Sequence, residues 1–143
     1  MNPWSNLEDA VRDVRGISPK FHWVGVYLLN GDILELGPYV GAPTEHTRIP
    51  VGVGVCGTAV AENRDLNIPD VNACSNYLAC STETRSELVV LIRTPDGQVV
   101  GQIDIDSHEA AAFGAAEASA VKQVAERLGQ QWDELKNPKS NLH

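Results

Sequence analysis

The run GQIDIDS (Gly101–Ser107) constrains the fold of this chain more than any other stretch. Period-two alternation puts Gln102, Asp104 and Asp106 on one face of a strand and Ile103 and Ile105 on the other. A strand built this way needs an apolar layer behind it and something polar in front. Upstream, SELVVLI (Ser86–Ile92) contains a buried strand, Leu88–Ile92, and Pro95-Asp96-Gly97 is a turn, so Val99–Ile105 returns as its hairpin partner. Glu87 then begins the neighbouring strand, beside the two aspartates. These carboxylates read either as solvated sheet-end residues or as a polar pocket holding an ammonium by charge-assisted hydrogen bonds. One of them, protonated through a raised pKa, can also donate a proton.

A second hairpin precedes it. HWVGVYLL (His22–Leu29) alternates Trp23, Gly25, Tyr27 and Leu29 against Val24, Val26 and Leu28, apolar on both faces and therefore a central strand. Asn30-Gly31 predicts the turn, and Asp32–Val40 the returning strand, with a bulge or edge at Gly37-Pro38. A short third strand is expected at His46–Ile49. Trp23 and Tyr27 share a face and either pack the core or wall the pocket. His46 and His22 read as structural or exposed.

Helical periodicity appears at both ends. Leu7, Val11 and Val14, with Ser5 or Asn6 as cap, predict an amphipathic helix ended by Gly16 and Pro19. Gly114–Glu134 predicts a long one, with Val121, Val124, Ala125, Leu128 and Trp132 on one stripe. Between the hairpins, Gly52, Gly54 and Gly57 match GxGxxG ahead of a short helix, Thr58–Glu62. Without a βαβ setting the glycines read as close backbone packing rather than a dinucleotide site. Residues Asn63–Ser81 show no periodicity and read as a binding loop.

The chain has 143 residues and three cysteines, with a formal charge of −8. That charge argues against nucleic acid and anionic membranes as partners. The polar N-terminus predicts no targeting segment, and the odd, sparse cysteines predict reduced thiols in a cytoplasmic protein. Cys80, in LACST, sits in a polar loop just before a strand, where an unreactive thiol is the plainer reading and a nucleophilic one the alternative. Cys56 reads as buried, with a redox or substrate-shaping role second, and Cys74 as a surface thiol. The cysteines lack paired metal-ligand spacing, so no zinc site and no bound cofactor are expected.

Taken together and in order, LELGPYVG, GVGVCGTA, NIPDV, LACSTETRSELVV and GQIDIDS resemble the GAF-domain free methionine-R-sulfoxide reductases. The resemblance covers about residues 5–134 and includes HWVGVYLL as the family's aromatic strand. It implies an α+β fold: one GAF domain over 1–143 with a tail at 135–143, a central antiparallel sheet of about six strands, and N- and C-terminal helices packed on one face. It further implies thiol-dependent reduction of free methionine-(R)-sulfoxide. Cys80 would attack the sulfoxide sulfur, a second cysteine would condense with the sulfenic acid, and thioredoxin or another thiol would reduce the disulfide. Glu87, Asp104 and Asp106 would hold the substrate amine or assist proton transfer, with Trp23 and Tyr27 lining the methyl-sulfoxide end. Family members are typically homodimers. The family's usual resolving cysteine position is His46 here, which leaves Cys56, Cys74 or an external thiol such as glutathione for that role. The alternative is a non-catalytic GAF module that binds a small molecule or senses redox state.

Overall fold

Side-chain periodicity and the turn residues between the runs are enough to place most elements. The computed structural model describes residues 4–73 and 83–136. Asn6 caps α1 (Leu7–Arg15) by accepting a hydrogen bond from the Asp9 amide at 3.0 Å. β1 (Trp23–Asn30) and β2 (Ile33–Val40) form the first hairpin, followed by the short β3 (Arg48–Pro50). Helix α2 (Gly54–Glu62) leads to β4 (Leu66–Ile68) and a single 3-10 turn at Val71–Ala73. The second hairpin is β5 (Ser86–Arg93) and β6 (Val99–Ser107), and α3 (Ala115–Gln130) and α4 (Trp132–Lys136) complete the described chain.

The six strands form one antiparallel sheet in the order β3-β2-β1-β6-β5-β4. The two hairpins therefore meet at β1 and β6, the central pair, as the two-sided apolar pattern of β1 predicts. An extra residue of β2 at Gly37-Pro38 lies opposite the step from Gly25 to Tyr27, so the expected bulge is present.

Each face of the sheet has its own core. On one face α1, α3 and α4 cover Val24, Val26, Leu88, Val90, Ile103 and Ile105. Burying Ile103 and Ile105 completely is worth roughly 1.5–3 kcal/mol each. On the other face Trp23, Tyr27, Val89 and Leu91 pack with Leu34, Ile49 and residues of α2. The fold is thus a six-stranded α+β sandwich, with the terminal helices on one face as expected.

Three expectations need correction. The hairpin turn is Gly31-Asp32 rather than Asn30-Gly31, because Asn30 still pairs with Ile33 and Gly31 takes the positive φ (+64°) at the first turn position. β4 lies inside a segment read as loop. Its three residues are too few for periodicity, and its strand geometry comes from pairing with Glu87–Val89. The C-terminal helix breaks at Gln131 into α3 and α4. Leu135 of α4 is buried with Trp132 in the helix-side cluster. Residues 137–143 of the predicted tail lie outside the described residues.

Candidate functional site

Strand register assembles the site. On the face away from the terminal helices, three rungs cross β1, β6 and β5: Trp23–Asp106–Glu87, Gly25–Asp104–Val89 and Tyr27–Gln102–Leu91. Glu87, Asp104 and Asp106 are buried, with 4%, 1% and 2% of their surface exposed. Placing three carboxylates inside a sheet face costs several kcal/mol per charge unless they are paired or protonated. A fold does not keep such a cluster for packing alone.

Helix α2 closes the site from above. Its first turn presents Cys56, whose sulfur lies 3.9 Å from Glu87 Oε2, and whose carbonyl accepts a hydrogen bond from Gln102 Nε2 at 3.0 Å. The glycines bring this turn down. A Cβ on Gly57 would stand against the carbonyl oxygen of Pro50 and 2.9 Å from the Gly52 nitrogen, so the close backbone packing read from the sequence holds at Gly57, whereas Gly52 and Gly54 serve a positive φ (+94° and +66°).

Two aromatic residues fix the third wall. Tyr27 Oη donates to the His46 carbonyl at 2.7 Å, and Trp23 Nε1 donates to the Ala42 carbonyl at 2.9 Å. Both bonds tie the stretch before β3 to the central strand. The Trp23 indole lies over Gly25, where any side chain would meet it, and stacks on Tyr39 with centroids 5.5 Å apart.

Tyr27, His46, Ile49, Val55, Cys56, Glu87 and Asp104 line one small cavity of about 10 Å3. That is room for roughly one water molecule, so its walls must part to admit an amino acid. Trp23 and Asp106 share the rung of Glu87 but lie outside this lining. His46, read as structural, stands on the cavity wall. Gln102 was singled out only for its face, yet its amide ties α2 to β6. Cys74 and Cys80 lie outside the described residues.

Electrostatics favour bound protons. Burial pushes the Asp104 carboxyl above the ordinary aspartate value, against hydrogen bonds from Glu87 and Cys56 and the charge of His46. Burial first, then the charges of Asp104, Glu87 and Asp106, push the Cys56 thiol well above its usual value. Burial thus favours the protonated form of both the Asp104 carboxyl and the Cys56 thiol.

A wider groove of about 360 Å3 lies beside β5 and α3 and is lined by Arg64, Asp65, Arg93 and Lys122 among others. Its charges are partly exposed and already engaged, Lys122 with Asp65 and Arg93 with Asn63. Size favours the groove; the buried, proton-shifted groups are in the small cavity, which is the candidate site. No described helix is long and apolar enough to cross a membrane.

Known proteins share this architecture. A family model described as GAF domain matches residues 7–132. The free methionine-R-sulfoxide reductase of Escherichia coli (strain K12) is 39% identical over 107 residues, covering 75% of this chain and 64% of that protein. The chain thus spans less than two thirds of that enzyme's length. The structure of the type II free methionine-R-sulfoxide reductase from Thermoplasma acidophilum superposes with a TM-score of 0.85 at 35% identity, covering 91% of this chain and 92% of that one. That of the free methionine-R-sulfoxide reductase from Neisseria meningitidis, in complex with its substrate, gives 0.83 at 33% identity, covering 92% and 80%.

Proposed function

The chain belongs to the GAF-domain family, and on that premise we propose that it reduces free methionine-(R)-sulfoxide to methionine at the expense of thiols. The observation that carries this reading is the buried carboxylate face of Glu87, Asp104 and Asp106, flanked by Tyr27 and Trp23 on the same face of the sheet. A free amino acid brings an ammonium group that such a face neutralises, and a small apolar tail that the aromatics accept. A residue within a peptide lacks that ammonium and brings these buried carboxylates no counter-charge.

In this mechanism the Cys80 thiolate attacks the sulfoxide sulfur. The sulfoxide oxygen is transferred to Cys80 as a sulfenic acid, a proton from the carboxylate face assists, and methionine leaves. A second thiol then displaces water from the sulfenic acid to give a disulfide, which thioredoxin or another external dithiol reduces. Asp104, whose protonated form burial favours, serves as the proton donor, and Glu87 and Asp106 hold the amine. The burial and raised pKa of Cys56 favour Cys74, or an external thiol such as glutathione, as the resolving sulfur. A cytoplasmic homodimer with no bound cofactor belongs to the same proposal.

Methionine release from free and from N-acetylated or peptide-bound methionine sulfoxide, with dithiothreitol and with thioredoxin as reductants, tests the reading. Turnover of the free amino acid alone is the expected result. No turnover with either reductant would overturn the enzymatic reading, and saturable binding without turnover would establish a non-catalytic small-molecule module instead.

A further inference from the structure

We propose that Cys56, Glu87 and Asp104 form a binding site for one thiophilic divalent cation, with zinc the ion whose geometry fits. The ligand atoms come from α2, β5 and β6, and all three lie within 4.8 Å of one another. Cys56 Sγ and Glu87 Oε2 are 3.9 Å apart. A tetrahedral zinc ion with bonds of about 2.3 Å to sulfur and about 2.1 Å to oxygen holds such a pair about 3.6 Å apart. That pair therefore needs to close by only a few tenths of an ångström to grip the ion, with the Asp104 oxygen within 4.8 Å of both.

Three further observations point to an occupant of that kind. Asp104 is 1% exposed and lines the cavity, and its Oδ1 makes no hydrogen bond. A buried carboxylate oxygen left without a partner is costly, and a cation bound there removes the cost. The cavity, at about 10 Å3, has the size of a single small occupant such as one ion and is far smaller than an amino acid. The donor set selects the metal: one sulfur with two carboxylate oxygens suits zinc or cadmium, whereas magnesium and calcium take oxygen alone. His46 is on the cavity wall but outside the mutually close group, so water fills the fourth position.

Binding breaks the Cys56 S–H bond, forms a metal–sulfur bond and releases the proton to solvent; no electrons are transferred. The sequence expectation of no zinc site looked for closely spaced cysteines and histidines. These donors stand 31 residues apart from Cys56 to Glu87, and only the fold of α2 over the β5–β6 hairpin joins them. If the carboxylates also receive the substrate amine, as the proposed function requires, ion and substrate compete.

Titration of the reduced full-length protein with cobalt(II), followed by displacement with zinc, tests the site. One equivalent of cobalt should produce thiolate-to-metal charge-transfer and tetrahedral d–d absorption, abolished by zinc. The signal should survive in Cys74→Ser/Cys80→Ser, disappear in Cys56→Ser, and require roughly tenfold or more higher cobalt in Asp104→Asn. Circular dichroism of each variant establishes that it is folded, and Asp104→Asn decides the matter should Cys56→Ser not fold. Absence of the bands in folded wild-type protein, or their persistence unchanged in Cys56→Ser or Asp104→Asn, would overturn the proposal. The readout does not involve turnover, so an inactive protein would count against the proposed reaction and leave this test standing.

Discussion

The Trp23 indole lies across Gly25, so that a Cβ at position 25 would stand 2.7 Å from Trp23 Cζ3 and 3.1 Å from Tyr39 Cβ. Gly25 pairs with Asp104, which makes this the point where the aromatic residues and the carboxylates of the site approach each other on the central strands.

Gly25→Ala therefore forces Trp23 off its position. The indole has little freedom to yield, since its nitrogen is bonded to Ala42 and its face is stacked on Tyr39. We expect a loss of about 1–3 kcal/mol from overpacking, seen as a lower urea midpoint, and a changed tryptophan fluorescence in the folded state. A variant with wild-type stability and emission would show that the strand can shift to make room.

Removing one charge of the carboxylate face should weaken capture of the substrate amine. A hydrogen bond to a charged group contributes about 1.5–3 kcal/mol, so Glu87→Gln and Asp106→Asn should each lower kcat/KM by roughly ten- to a hundredfold. The same variants should discriminate less between free and N-acetylated methionine sulfoxide. Steady-state kinetics on both substrates measures this, and unchanged selectivity would remove these residues from amine binding.

Asp104 gives a pH signature of stability. Its folded-state pKa is raised above the ordinary 3.8 by burial, so the folded protein holds this proton more tightly than the unfolded chain. The associated stability is fully present below that ordinary value and is lost as pH rises through the raised one. Asp104→Asn cannot ionise and escapes the loss. Its Tm relative to wild type should therefore climb as pH rises above about 4 and level off once pH has passed the raised folded-state value. A difference independent of pH would mean that Asp104 titrates alike in both states.

Much of this architecture is readable from residue patterns because the two hairpins keep period two along most of their length, away from the bulge at Gly37-Pro38. The alternation in GQIDIDS assigns Asp104 and Asp106 to one face and Ile103 and Ile105 to the other, and the sheet obeys it. β4 escapes such reading, since three residues held by a neighbour's edge carry no signal of their own. The cavity escapes for a different reason. Strand periodicity says which residues share a face, whereas the meeting of Cys56 and His46 with Glu87 depends on how α2 and the stretch before β3 fold back over that face. Gly57 and the Tyr27 hydroxyl control that return, through close backbone packing and through the bond to the His46 carbonyl. Neither contact has a periodic signature.

Cys56 should be the slow thiol of this protein. Its sulfur is buried beside Glu87, and burial together with Asp104, Glu87 and Asp106 lifts its pKa well above 9.0. Alkylating reagents consume the thiolate, and each unit of upward shift reduces that form about tenfold at a given pH. In a Cys74→Ser/Cys80→Ser background, iodoacetamide at about pH 8 should modify native Cys56 at least roughly tenfold more slowly than the same thiol in urea. Substituting Asp104→Asn in that background removes one of the named charges and should raise the native rate without changing the rate in urea. Mass spectrometry of timed aliquots reads both. Equal native and denatured rates would mean that the thiol is open to solvent and unaffected by its acidic neighbours. That outcome would also restore Cys56 as a candidate for resolving the Cys80 sulfenic acid.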